Sequence, residues 1–330
     1  MPHYRALLDA LSNALPWTRA DLSAVVGVDE TTVAHLVADL QSFGVSLKPL
    51  GEDSWVWSRP VELLHEASIR AGLAPTLPLR VRRVSVLPVT ESTNSWLLNG
   101  PWPALQEMDV AMAEYQSAGR GRRGRHWVAP LGSSLLLSVS TVVAPYRRDL
   151  GSMTLAVGVA AWRALRGLGC ADLLLKWPND IEYRGRKLGG ILCELRTLTD
   201  GQLGLVVGVG INVNLGHEAI EDSTGGARPV TDVVTALGNQ PAQLRARLAA
   251  ALISEINQAI ETFKAHGIAA FLSEWSGADA LAGKPVRVIR DDHSSEGLAC
   301  GVDADGALLV KIDGVVERVA VGDVSVRQAA

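Results

Sequence analysis

Cysteine is scarce in this chain of 330 residues: Cys170, Cys193 and Cys300 are all there are. They are odd in number and far apart, and no C-x-x-C pair exists to seed a zinc or redox site, so reduced, buried thiols are expected. Long apolar runs are missing as well. Nowhere do eighteen apolar residues run together, the length a membrane-spanning helix needs. The first stretch, MPHYRALLDALSNALPWTRADL, has charges throughout and no apolar core of signal-peptide length, which predicts a soluble, cytoplasmic protein with no membrane partner. Nor is there a large charge of either sign. At a formal net charge of -4 the chain is no general nucleic-acid coat, and any anion-binding role must come from a local concentration of charge.

What is present divides the chain into segments. TRADLSAVVG and VDETTVAHLVADLQSFG carry two short amphipathic patterns joined through Gly27, with Val33, Leu36, Val37 and Leu40 on one helical face and Gly44 as a stop. VSLKPL and SWVWS around GED read as a hairpin wing behind this helix-turn-helix. Over residues 1–66, however, four basic residues stand against nine acidic ones, and the second helix carries Asp29, Glu30 and Asp39 but no Lys or Arg. Phosphate contacts supply much of a DNA reader's affinity, so the fold of a DNA-binding domain is expected here with its function weakened or lost.

Residues 60–80, with Pro60, Pro75 and Pro78 around VELLHEASIRAG, read as a linker. Strands and helices then follow to about residue 275. The segment 149–169 reads as a helix, and DLLLKWPND, RKLGGILCELRTL and LGLVVGVGINVN read as strands joined by turns at Arg184-Gly185 and Asp200-Gly201. Such turns are too short for crossover helices, so these strands must pair antiparallel, and the sheet is not a doubly wound nucleotide fold. Residues 217–230 are polar and read as a mobile surface loop. PAQLRARLAAALISEINQAIETFKAHG reads as a long helix stopping at Gly267, and the last fifty residues as short strands with Asp-Gly turns, a small β-barrel.

The local charge sits in GRGRRGRHW, residues 119–127. Gly119, Gly121 and Gly124 satisfy the dinucleotide pattern G-x-G-x-x-G, but that motif needs a helix after it to receive a pyrophosphate. Here a proline and a strand follow. Gly208 and Gly210 in VGVGINVN make a near-match that fails at Val213. A nucleic-acid tract would lie in basic or repeated surroundings, and this one occurs once in an apolar region. Two readings remain, an exposed basic turn and a loop whose N–H groups and guanidinium forks enclose a small anion. A second cluster, KWPNDIEYRGRKLGG, places Lys176 at a strand end, Asn179-Asp180 at a turn where a carboxylate could hold magnesium, and Gly189 and Gly190 where a ligand could approach. Taken alone, it reads better as an ordinary hairpin with a solvated charged tip.

Together, ESTN at 91–94, EYQSAGRGRRGRHW at 114–127, KWPNDI at 176–181, RKLGGIL at 186–192 and GVGINVN at 208–214 resemble, in order and spacing, the bacterial biotin protein ligases, in particular the bifunctional ligase and biotin operon repressors. The resemblance implies an α+β multidomain fold: a winged helix-turn-helix over 1–62, a linker over 63–80, a catalytic domain over 81–278 with a mixed, largely antiparallel sheet like that of class II aminoacyl-tRNA synthetases, and an SH3-like β-barrel over 279–330. It implies an ATP-dependent carbon-nitrogen ligase that activates biotin to biotinyl-5'-AMP and passes it to a lysine of the biotin carboxyl carrier protein of acetyl-CoA carboxylase. ATP and Mg2+ serve the reaction, and no tightly bound prosthetic group is expected. By the same resemblance Ser92, Thr93, Asn94, Gln116, Arg120, Gly121, Arg122 and Lys187 bind biotin, with Lys187 and Arg122 catalytic. Trp127, Asn179, Asp180 and Asn212 face the nucleotide, and Asp180 holds the metal. Both first-step reactants are anions, which gives a physical reason for so many cations around one pocket. Operator DNA is disfavoured as a partner by the acidic helix, and a homodimer is left open. Two alternatives stand beside this reading, a biotinyl-AMP-sensing regulator without ligase activity and a lipoate-type acyl ligase.

Overall fold

The computed structural model describes every residue except 1, 52, 59, 144–146, 148, 200, 217–228, 290–293, 321–324 and 329–330. The loop expected over 217–230 therefore falls largely outside the described residues, as does Glu52 of the expected wing tip.

The N-terminal part is built from α1 (Pro2–Leu11), β1 (Trp17–Thr18), α2 (Arg19–Val26), α3 (Glu30–Ser42), β2 (Leu47–Pro49) and β3 (Ser54–Trp57). Gly27 ends α2 at φ 74, and Asp29 caps α3 by accepting from Thr32 N–H. The joint between the helices is thus made of a left-handed glycine followed by an N-cap, both local sequence choices. Val33, Val37 and Leu40 are buried, as their spacing requires, and β2 and β3 pair antiparallel. α1 has no counterpart in the sequence reading.

Beyond the chain connection, this part is held to the rest by tertiary contacts. The Leu131 amide donates to the Phe43 carbonyl at 3.0 Å, and the Phe43 ring stacks on Tyr115 with centroids 4.4 Å apart. The segment 63–80 is no free spacer. Leu64, Ile69 and Leu79 are fully buried in the main core, and α4 (Glu66–Ala71) lies within the segment.

The central sheet has seven strands: β4 (Arg80–Thr90), β5 (Glu107–Gln116), β6 (Ser134–Val143), β7 (Leu173–Lys176), β8 (Asp180–Tyr183), β9 (Arg186–Thr197) and β10 (Leu203–Asn212), in the order β4-β5-β6-β10-β9-β8-β7. β4 and β5 are parallel, bridged by the crossover α5 (Thr93–Asn99), and all other pairs are antiparallel. The meander expected over 173–212 is present, and the sheet is mixed. One face is covered by α6 (Met153–Gly167) and α8 (Leu244–His266), which pack on each other; the short α7 (Val233–Leu237) precedes α8 and α9 (Leu272–Ala278) follows it. α6 is apolar on almost every side because it is sandwiched; a Cβ on its Gly158 would lie 3.3 Å from the Trp275 ring.

The C-terminal part is a five-stranded antiparallel sheet of β11 (Pro285–Ile289), β12 (Ser294–Val302), β13 (Leu308–Ile312), β14 (Val315–Val319) and β15 (Ser325–Gln328). It reaches the central sheet where the Trp177 indole donates to the Gly306 carbonyl at 3.1 Å.

Cys170, Cys193 and Cys300 are free thiols. Burial pushes Cys170 up to about 11 and Cys193 up to about 12, whereas Cys300 is exposed. At pH 8 the first two therefore hold almost no nucleophilic thiolate. An aromatic disulfide reagent is expected to label one thiol per native chain, and Cys300→Ser is expected to abolish that labelling; two or three fast-reacting thiols would contradict the packing.

Candidate active site

Eleven of the twelve residues singled out in the sequence line one cleft: Ser92, Thr93, Asn94, Gln116, Arg120, Gly121, Arg122, Trp127, Asn179, Asp180 and Lys187. The cleft encloses about 740 Å³, its open mouth included. Topology brings them together. ESTN lies where β4 turns into α5, Gln116 ends the parallel neighbour β5, and the arginine loop leaves from that same strand end. Across the sheet, β8 and β9 bring Asp180 and Lys187 to the opposite wall.

The floor is polar and buried. The Thr93 amide donates to Gln116 Oε1 at 2.7 Å, Thr93 Oγ1 lies 2.7 Å from Ser138 Oγ, and Ser138 Oγ donates to Asn94 Oδ1 at 2.6 Å. Thr93 Oγ1 also donates to Gln116 Oε1 at 2.9 Å, so Gln116, Thr93, Ser138 and Asn94 form one continuous hydrogen-bonded chain. Ser92, Thr93, Asn94 and Ser138 are each at most 4% exposed, so these polar groups are preorganised rather than solvated.

Lys187 gains its position through a β-bulge. Asp180 pairs with Gly190 and Ile181 with Gly189, but Glu182 pairs with Lys187, leaving Leu188 as the extra residue. Strict alternation would turn Lys187 to the same face as Gly189, toward the core; the bulge turns it into the cleft with Gly190. Its Nζ lies 2.9 Å from Asp180 Oδ1 and 5.4 Å from the Trp127 ring centroid, a cation–π contact. Asn179 braces this wall by donating Nδ2–H to the Ile191 carbonyl at 3.0 Å.

Two expectations about glycines are corrected. Gly189 does not admit a ligand: a Cβ there would lie 2.5 Å from Ile211 Cδ1, so it closes the core. Gly208 and Gly210, a failed dinucleotide motif in the sequence, instead make room in the cleft. A Cβ on Gly208 would lie 2.3 Å from Asn94 Oδ1, and one on Gly210 2.8 Å from the Trp127 ring. Asn212 stands apart from the cleft lining. It is buried, donates to the Thr231 carbonyl at 3.1 Å and accepts from Ser134 Oγ at 3.3 Å, so its amide is engaged in joining strand ends.

In the arginine loop, Gly121 donates its N–H to the Arg125 carbonyl and Arg123 adopts φ 56 in a single turn of 3-10 helix at Arg122–Gly124. The expected strand-loop-strand setting is what forms. The Arg122 guanidinium makes no hydrogen bond or ion pair among the described residues. Burial, with Arg125 nearby, pushes its pKa down from the usual guanidinium value, partly offset by Asp180. A partly desolvated cation left unpaired is a site that favours an anion. Sequence reasoning missed Ser138 and Glu194. Ser138 had one signal, its alternation with Leu137 and Val139 on β6, which sets its hydroxyl on the face opposite the core.

Among the described residues no group of three or more His, Cys, Asp or Glu side chains could hold a metal. One carboxylate, Asp180, fits a magnesium ion carried mainly by nucleotide phosphates.

Comparison with known proteins agrees with this geometry. The Biotin/lipoate A/B protein ligase family matches residues 86–212, and the Biotin protein ligase C terminal domain matches 282–327. The bifunctional ligase/repressor BirA of Escherichia coli is 32% identical over 98% of this chain and 97% of its own length. The biotin--[acetyl-CoA-carboxylase] ligase of Mycobacterium tuberculosis is 32% identical over 74% of this chain and 88% of its own. Among solved structures, biotin protein ligase from Aquifex aeolicus, in complex with biotin and ATP, superposes with a TM-score of 0.64 at 23% identity, covering 75% of this chain and all of that one, a likeness of fold. Motif order, cleft and full-length similarity agree, and the chain belongs to the bacterial biotin protein ligase family.

Proposed function

We propose that this chain is an ATP-dependent biotin-[acetyl-CoA-carboxylase] ligase. The observation that carries the reading is the convergence of ESTN, the arginine loop, KWPND and Lys187 on one cleft with a buried polar floor and a cationic rim. In the first step a biotin carboxylate oxygen attacks the α-phosphorus of ATP and pyrophosphate leaves, giving a mixed anhydride with AMP. Lys187 and Arg122 offset the repulsion of the two anions and stabilise the charge that builds at phosphorus. Asp180 would hold Mg2+, which supplies further charge neutralisation on the phosphates when bound. Trp127 packs against the adenine. In the second step the amine of a lysine on the carrier protein attacks the acyl carbon, forming an amide and releasing AMP. Closure of the loop at Arg120, Gly121 and Arg122 excludes water from the anhydride.

The floor also separates biotin from lipoate. Thr93, Asn94, Gln116 and Ser138 form a polar floor whose remaining donor and acceptor capacity a ureido ring can meet, whereas a dithiolane ring offers no matching N–H or C=O. Incubation of the protein with ATP, magnesium, biotin and a recombinant biotin carboxyl carrier domain is expected to add the mass of one biotinyl group to that domain. No added mass would overturn the assignment.

The N-terminal part fits a winged helix-turn-helix and the C-terminal sheet an SH3-like barrel, in a protein acting in the cytoplasm. Exposed α3 positions include Glu30, Thr31, His35, Ala38 and Asp39, and Thr32 and Ala34 are half-buried rather than exposed. With no Lys or Arg on that helix, operator binding is expected to be weak or absent. A gel shift on upstream biotin-operon DNA at physiological salt is expected to show no specific complex; nanomolar binding would restore the repressor role.

A further inference from the structure

Glu194 was not marked by any motif, yet it is the one carboxylate that touches both the cleft floor and the arginine loop among the described contacts. Its Oε2 accepts from Arg120 Nη2 at 2.7 Å and from Asn94 Nδ2 at 2.7 Å. Asn94 in turn accepts from Ser138 at its Oδ1, so its amide orientation is dictated from both ends: an acceptor-only carboxylate fixes Nδ2, and a donating hydroxyl fixes Oδ1. On the loop side, Arg120 pairs by an antiparallel bridge with His126, so the ion pair grips the loop at its narrow stem. The loop also borders a second hollow, lined by Leu150, Thr154, Leu192 and Glu194. A loop with space on both sides needs a fastener to stay seated.

Arg120 and Arg122, which line the cleft together with Arg125, thereby divide their work. Arg120 is neutralised by Glu194, whereas the half-buried Arg122 has no such partner among the described residues. We propose that Glu194 is a positioning residue that acts through Arg120 to keep the arginine loop closed over the acyl-adenylate, leaving Arg122 as the loop cation that meets the reacting anions. The inference rests on the ligase reading above.

Its consequence is a leak. When the loop opens before a carrier protein arrives, water attacks the acyl carbon of the anhydride, giving free acid and AMP, so that ATP and water are turned over to AMP and pyrophosphate without transfer. Glu194→Gln keeps the shape and removes the charge; the residue is half-buried on a paired strand, and Arg120 is on an exposed loop. With wild-type protein, ATP, magnesium and biotin but no acceptor, pyrophosphate should appear as one rapid equivalent followed by slow turnover. Glu194→Gln should raise the slow phase about tenfold and leave the rapid phase within threefold, and Arg120→Ala should raise the slow phase by a similar factor. The double variant should leak no more than either single one, because coupled residues are non-additive. A slow phase unchanged in Glu194→Gln, or leaks that multiply in the double variant, would overturn the role of Glu194. Absence of the rapid phase in the wild type would overturn the ligase reading instead.

Discussion

Lys187→Ala is expected to slow adenylate formation on the order of a hundredfold, about 2.7 kcal/mol of lost transition-state stabilisation. The side chain is a point charge aimed into the cleft, paired with Asp180 at 2.9 Å and resting over Trp127. Its Coulomb energy rises as negative charge accumulates at phosphorus, whereas its contribution to the folded state is that of a partly exposed ion pair, worth little. The rate should therefore fall while the melting temperature barely moves. Pyrophosphate burst kinetics and calorimetry on the same sample separate the two effects. An undiminished burst would remove Lys187 from the mechanism. Lys187→Arg should recover only part of the rate, since a planar fork does not replace a compact ammonium.

The largest loss of stability is expected from Glu114→Ala, about 3–5 kcal/mol, because it strands a buried guanidinium. Glu114 and Arg245 lie 2.7 Å apart with side chains 0% and 3% exposed. Glu114 also accepts from the Leu64 amide at 2.6 Å, and Arg245 donates to the Ser134 carbonyl at 2.9 Å. One pair thus joins β5, β6, α8 and the segment leading from the N-terminal part. Glu62 completes the junction: its carboxylate accepts from the Arg245 and Ala246 amides at 2.9 and 2.8 Å, capping α8 where the helix dipole favours an anion. Chemical denaturation followed by tryptophan fluorescence would report the loss. The double variant Glu114→Leu with Arg245→Met should regain most of it, because an apolar pair of similar bulk removes both buried charges at once. A Glu114→Ala protein within 1 kcal/mol of wild type would mean that the pair carries little of the junction.

Much of the candidate site was legible before any coordinates, for a chemical reason. Motifs such as ESTN and KWPND are local: each supplies its donors and carboxylate within a few residues of a turn, and turns form where glycine, proline and caps put them. The helix stop at Gly44, the joint at Gly27 and the end of α8 at Gly267 follow from backbone preferences of single residues. Asn212 lay within a motif but turns its amide to Thr231 and Ser134, partners that strand order alone brings close. Glu194 shows the opposite case, with no motif of its own and partners 74 and 100 positions away.

By itself, then, the sequence determined the helix and strand periodicity, the antiparallel meander forced by short turns, the exclusion of a doubly wound fold, and the acidic character of α3. It could not determine where charges meet across the sheet. Alternation counted along β9 assigns Lys187 to the core face, and only the unpaired Leu188 in the folded ladder reverses that assignment. Likewise the proline-rich stretch at 60–80 has the composition of a spacer, yet Leu64, Ile69 and Leu79 are buried because the main core offers them an apolar surface. Local preferences are set by neighbours in the chain. Bulges, buried ion pairs and long-range caps are set by neighbours in space, and these orient Lys187, Asn94 and Arg120 around the cleft.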